Sequence, residues 1–318
     1  MCNPYFYNMA MMKTDKLSKT AGILLVILGL LCNEAVLGYY LSDDRIIHSV
    51  YCRAMILALD VTLVGWGFYL ARGYSKVKIL GFKTKFWIFI LVLAVFFMSE
   101  RALYALVYPS TRFQITGEII NRVNTAEKVV ALSFDDGPTE PYTQELLEVL
   151  DRHNVKATFF MVGKNIEENM EIAKAVHQRG HQLGNHTYSH RAMVYVKPSE
   201  VQYELERTND LLIKIGVNDE IMFRPPFGLK FIVLPMVLKS MKMKCIMWDV
   251  EPKDWAHPPS NEVVEYVINH AKNGSIILMH DADECPDVAR SADLIITNLK
   301  ARGYQFKTVE ELLKYSSK

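Results

Sequence analysis

The chain contains no Cys-x-x-Cys pair, and its five cysteines are far apart. That argues against a disulfide scaffold and against a cysteine-ligated zinc module. Cys2, Cys32 and Cys52 fall in or near the apolar first third, and Cys245 and Cys285 fall in the remainder. Two isolated cysteines are expected as separate thiols rather than as a bridge. An excess of charge is lacking too. Lys and Arg number 36 against 35 Asp and Glu, a formal net charge of +1, so no polybasic footprint for nucleic acid exists. Internal repeats and low-complexity tracts are also missing, which removes solenoids and long disordered segments. The first apolar run follows several lysines but precedes no clear small-x-small cleavage site. It reads as a retained segment rather than a signal peptide.

What the sequence does have is apolar character: half of its 318 residues are hydrophobic, and the mean hydropathy is slightly positive. Three apolar stretches, 21–41, 54–71 and 86–107, each approach the roughly twenty residues that span a bilayer core. The third begins FWIFILVLAVFFM and is interrupted by Ser99-Glu100-Arg101. Lys13, Lys16 and Lys19 precede the first. Arg45 and Arg53 follow it, offset by Asp43 and Asp44. Arg72, Lys76, Lys78, Lys83 and Lys85 separate the second from the third. Basic loops stay cytoplasmic, so the expected order is a cytoplasmic N-terminus (1–20), three transmembrane helices (21–108), a tether (109–127) and an outward-facing domain (128–318). Glu34, Asp60 and Glu100 fall in the spans. With no other sign of transport, they read as interfacial or interhelical pairs.

From 112 onward the composition is that of a globular domain. Strands are expected at 129–134, 157–162, 181–185, 221–224, 245–250, 275–280 and 304–306. Helices are expected at 143–153, 166–179, 199–215, 231–241, 261–271, 289–301 and 309–315. This alternation implies an α/β fold with a parallel sheet, open or closed into a barrel. In a barrel, chemistry sits at the C-terminal strand ends.

Those ends are polar in a repeated way. The first strand runs into Asp135-Asp136-Gly137-Pro138, where two adjacent carboxylates call for a cation or a shared proton. The third leads to His186-Thr187-Tyr188-Ser189-His190, and two histidines four apart share a face if this segment starts a helical turn. One Asp and two His suit a divalent ion with open positions. Later strands end in Arg224-Pro225-Pro226-Phe227-Gly228, in Asp249, Glu251 and Asp254-Trp255, and in Leu278-Met279-His280-Asp281. Singly, each feature has a structural explanation: a helix cap for the aspartates, a surface pair for the histidines, core packing for Trp255 and Leu278.

Together, the segments LSFDDGP, HTYSH, RPPFG, EPKDW and LMH resemble the five ordered motifs of the polysaccharide deacetylase family, the NodB-homology domain of carbohydrate esterase family four. The resemblance covers about 128–313. It implies a distorted (β/α) barrel of about seven strands, behind the N-terminal transmembrane region. It also implies one divalent ion on Asp136, His186 and His190, with zinc expected first and cobalt or another divalent ion as alternatives. Asp135 would be the general base, paired with Arg224, and His280 the general acid, oriented by Asp254. Phe227 would offer its backbone N–H to an oxyanion, and Trp255 and Leu278 would wall an acetyl pocket. The implied partner is an N-acetylated glycan outside the membrane, peptidoglycan first, with a lipid-linked sugar, chitin oligomer or exported polysaccharide as alternatives. A non-catalytic glycan-binding membrane protein is the rival from another class. The chain departs from the family pattern in having Glu251 for the usual Asp, Phe227 for the usual Tyr, and no glycine in the turn 281–285. His153, His177, His181 and His270 lie away from strand ends and receive no role, whereas His257 is near enough to the fourth motif to line the groove.

Overall fold

A computed structural model describes residues 110–316 apart from 113, 115, 195 and 284. The three expected membrane spans, with Glu34, Asp60 and Glu100, lie outside the described residues. Among the described residues no helix is long and apolar enough to cross a membrane. In chain order the elements are β1 (Ile119–Ile120), β2 (Val129–Asp135), α1 (Tyr142–Arg152), β3 (Thr158–Met161), α2 (Gly163–Glu168), α3 (Met170–Gln178), β4 (Gln182–Asn185) and α4 (Pro198–Ile215). There follow α5 (Val233–Ser240), β5 (Cys245–Ile246), α6 (Ser260–His270), β6 (Ile276–His280), α7 (Val288–Ala301), β7 (Gln305–Phe306) and α8 (Val309–Leu313). Two short 3-10 turns, Pro226–Gly228 and Asp254–Ala256, punctuate the second half.

Strand β2 is buried along its whole length, as a parallel strand covered on both faces must be. It pairs in parallel with β3, β6 and the short β7, while β4 flanks β3. A second sheet joins β1 to β5. Single parallel bridges, Asn185 to Phe223, Phe223 to Cys245 and Val250 to Ile277, close the circuit from β4 back to β6. The result is a closed but distorted barrel.

The distortion has a physical cause. The segment expected as strand 221–224 is reduced to the bridge at Phe223, and 245–250 is a strand only over β5. Pro225 and Pro226 follow at once, and neither has an N–H for a ladder. The Arg224 guanidinium also occupies the carbonyls of Ile246 and Met247, at 3.2 and 3.3 Å, which a neighbouring strand would otherwise use. The helix expected over 166–179 is two helices, α2 and α3. Asn169 between them leaves helical geometry (φ −124°, ψ 43°), and its side-chain amide donates to the Pro138 carbonyl at 3.1 Å. The stretch assigned to a tether also belongs to the wall: β1 pairs with β5, Arg122 bridges Ser275, and Val123 is buried.

Side-chain alternation along the strands separates two cores. Val130, Leu132, Phe134, Phe159, Ile277 and Met279 face the surrounding helices. Ala131, Phe160, Ile246, Trp248, Ile276 and Leu278 face inward. Val309 and Leu312 of α8 join the inward cluster. The N-terminal N–H groups of α8 bond to side chains at the starts of β3 and β4: Val309 N–H to Thr158 Oγ1 (2.8 Å) and Glu310 N–H to Gln182 Oε1 (3.0 Å). A reciprocal Thr308–Glu311 capping box fixes this helix. Because the strands are parallel, α8 plugs one end of the barrel and leaves the carboxyl ends open at the other.

Candidate active site

Register sets the first pair of groups. Asp135 on β2 lies level with His280 on β6, and Ser133 lies level with Leu278 one layer below. Arg224 spans both layers: its Nη1 donates to Asp135 Oδ1 at 2.7 Å and to Ser133 Oγ at 2.9 Å. The guanidinium is fully buried and sits 4.1 Å over the Phe160 ring. A buried cation of this kind requires a charged partner and a full set of acceptors. Asp135 and the two main-chain carbonyls supply them.

Asp136 is next in sequence but turns the other way through a left-handed backbone (φ 76°). Its Oδ1 stands 3.2 Å from His186 Nε2 and 2.9 Å from His190 Nε2, yet this buried oxygen accepts no hydrogen bond of regular geometry. The His186 tautomer explains why. His186 Nδ1 is 2.8 Å from the Arg224 carbonyl, which can only accept, so the proton is on Nδ1. With the ring neutral, Nε2 presents a lone pair to the same space as the carboxylate oxygen, and a cation between them satisfies both. Burial opposes ionisation of Asp136, but the two imidazoles hold its carboxyl well below the usual carboxylate range. Conversely, burial opposes a charge on His190, and Asp136 outweighs it, raising the imidazole. Three donors converging within 4.8 Å, with an orphaned oxygen at their centre, fit a divalent cation.

The histidine segment is not a helical turn, contrary to the condition attached to its spacing. Thr187 (φ 65°) and His190 (φ 54°) are left-handed, and the loop is held from outside by a residue that the motifs did not reveal. Glu204, buried on α4, accepts from Tyr188 N–H (3.0 Å), Ser189 N–H (2.8 Å) and Ser189 Oγ (2.7 Å). The available signal was a Glu among the core-facing Val201, Leu205 and Thr208 of its helix. Asp281 was also missed as a support. Its buried carboxylate accepts from the Gly137 N–H (3.2 Å) and the Thr143 hydroxyl (2.6 Å), and its own N–H donates to the Asp135 carbonyl at 3.1 Å. It thus ties the aspartate turn to β6. A side chain at 137 has no room, since a Cβ there would meet the Asp281 carboxylate. Burial, with the nearby aspartates, pushes Asp281 up to about 8.

Asp254 receives His280 twice, from the backbone N–H and from ring Nδ1, both at 2.8 Å. Burial works against a charged ring, but Asp254, helped by Asp136 and Asp135, pushes the imidazole up to about 10. Phe227 (φ 58°) sits in the first turn of the 3-10 segment, where a backbone N–H lacks an intrahelical acceptor. Its ring lies 4.8 Å from that of His190. Trp255, half exposed, stands at the rim, and Leu278 is buried within the barrel under His280. Glu251 uses its length to take both indoles, Trp248 Nε1 at 2.9 Å and Trp255 Nε1 at 3.2 Å. His257 lines a cleft with Asp254. Cys245 and Cys285 are both buried, and neither is in a disulfide. Six of the eight left-handed non-glycine residues among the described residues (Asp136, Thr187, His190, Phe227, Lys253, His257) belong to or border this site. Backbone strain is concentrated where function needs fixed geometry.

Residues 122–246 match the family described as polysaccharide deacetylase. The chain is 36% identical over 209 residues to a peptidoglycan-N-acetylglucosamine deacetylase of Bacillus cereus, covering 63% of this chain and 95% of that one. It is 35% identical over 185 residues to the peptidoglycan-N-acetylglucosamine deacetylase PgdA of Listeria monocytogenes, covering 58% of this chain and 39% of that longer one. Among solved structures it resembles BA3943, a CE4 family pseudoenzyme from Bacillus anthracis, with a TM-score of 0.58 and 29% identity over 64% of this chain and 72% of that one.

Proposed function

Because the chain belongs to the polysaccharide deacetylase family, we propose that it hydrolyses N-acetyl groups on peptidoglycan, with N-acetylglucosamine as the sugar attacked. A solved pseudoenzyme of similar fold shows that likeness alone does not carry activity. The observation that carries it here is the set of groups around one opening: Asp135 on Arg224, the Asp136–His186–His190 cluster, and His280 on Asp254.

Asp136, His186 and His190 would hold a divalent ion, with zinc the first choice for two imidazoles and a carboxylate, and that ion would supply Lewis-acid polarisation and a more acidic water. The chain's own groups do the rest. Asp135, held by the Arg224 guanidinium at 2.7 Å, takes a proton from the attacking water. The Phe227 N–H donates to the acyl oxygen as negative charge develops on it. An amine leaving group is too basic to depart as an anion, so His280 donates a proton to its nitrogen, and Asp254 keeps that imidazole protonated and aimed. Trp255 and Leu278 bound the space for the acetyl methyl.

Release of acetate from purified peptidoglycan tests this reading. Asp135→Asn and His280→Ala are each expected to lose about a hundred- to ten-thousand-fold in turnover while keeping bound metal. Near wild-type rates in either variant would remove that residue from the reaction. Turnover on chitin oligomers or lipid-linked sugars but not on peptidoglycan would leave the chemistry and replace the substrate.

The expected membrane anchor and outward-facing domain are part of the same proposal. They are supported by the three apolar runs and by the basic loop at 72–85.

A further inference from the structure

A third metal-binding atom lies beside the proton-donor pair. A ring nitrogen of His280, a carboxylate oxygen of Asp254 and Cys285 Sγ all lie within 4.8 Å of one another. The catalytic cluster has no sulfur, whereas this one does. A cavity of about 70 Å³ adjoins it, lined by Asp254, Cys285, His257 and Asp287 among others. Two of the three donors, Asp254 and Cys285, thus line the path of an ion entering past a second imidazole and a second carboxylate, and His280 is within 4.8 Å of both.

We propose that Asp254, His280 and Cys285 form a second, inhibitory site for a thiophilic divalent cation such as zinc or cadmium. Thiolate, imidazole and carboxylate together suit these ions, and magnesium or calcium would prefer oxygen alone. Coordination places the ion on His280 Nδ1, the nitrogen that now faces Asp254 Oδ1 at 2.8 Å. That gap must open to the edge of a tetrahedron around the ion, about 3.4 Å. The thiol proton and the Nδ1 proton leave to solvent, the ion accepts both lone pairs, and no electron is transferred. The imidazole that remains carries only its Nε2 proton and is a poorer acid than the imidazolium it replaces. Inhibition therefore rests on the reading of His280 as the proton donor, whereas the site itself does not.

The test uses the full chain with one equivalent of divalent ion already on Asp136, His186 and His190, titrated with cadmium. Two signals are read together: the ultraviolet thiolate-to-cadmium charge-transfer band, and acetate release. The wild-type protein is expected to develop the band as turnover falls. Cys285→Ser should keep its basal turnover, lose the band, and need about tenfold more cadmium or higher for the same inhibition. Cys245→Ser should behave as the wild type. Cys285→Ala, checked for a normal thermal transition, serves if the serine variant folds poorly. The same band in the wild type and in the Cys285 variant overturns the site. A band that depends on Cys285 without loss of turnover keeps the site, but overturns its inhibitory action and the proton-donor role of His280.

Discussion

His280 receives both its orientation and its charge from Asp254, and the two contributions separate in a pH profile. A general acid works only while protonated, so activity falls as pH rises through its folded-state pKa. Asp254 is the foremost attraction that raises the imidazole to about 10 against the effect of burial. A divalent ion nearby repels the imidazolium and draws the working value down. Asp254→Asn removes the carboxylate charge but keeps an acceptor for the backbone N–H. The basic limb of the pH–rate profile should then move to lower pH, with a smaller loss of turnover than in Asp135→Asn. A basic limb unchanged between wild type and variant would detach Asp254 from the acid. Arg224 illustrates why a motif residue is hard to interpret from its letter alone. The family resemblance implied a partner for a base, and the structure adds that the same guanidinium takes two carbonyls from the wall and sits on Phe160.

At the scale of elements, the histidine loop is the clearest case of support from a distance. Its two left-handed residues are tolerated because Glu204 of α4 collects three donors from the loop. Glu204→Ala leaves those donors without their acceptor, and metal affinity should fall about ten- to a hundred-fold with the ligands themselves intact. A competition titration against a chelator measures this, with His186→Ala/His190→Ala as the variant expected to bind no ion. Wild-type affinity in Glu204→Ala would show that the loop holds its shape alone. The strands and helices that carry the site were largely legible, because β2 and β6 are strongly apolar runs ended by polar motifs. The two weak wall segments were not. Nothing in the residues 221–224 and 245–250 announces that an arginine side chain will replace a strand partner. Nor did β1 stand out, since two isoleucines in a polar stretch form a strand only when β5 is there to receive them. Glu204 and Asp281 were hidden for the same reason: each acts through a contact remote in sequence.

For the whole molecule, the proposed membrane anchor raises the question of which side of the membrane the site would occupy. The loop 72–85 carries five basic residues and no acid, against two of each in 42–53. Basic residues resist translocation, so the third apolar run should lead outward and deliver the domain beside the wall polymer. Protease added to intact, wall-stripped cells should then digest the region after 111 and spare 72–85. Protection of the domain would reverse the orientation. If the domain is exposed, overproduction should raise the free amine content of wall glycan, and Asp135→Asn should abolish that rise.

The plug helix α8 also sets a timetable. Val309 and Leu312 complete the inward core, yet they are among the last described residues to leave a ribosome, after every group of the site has been made. A chain that has reached only residue 308 has its metal ligands but an unsealed barrel. It should therefore fold only after α8 has left the ribosome rather than during synthesis. Truncation at 308 should give a protein without a cooperative thermal transition, measured by calorimetry on material refolded with the divalent ion present. A sharp wild-type-like transition in that truncation would mean that the barrel seals itself without its stopper.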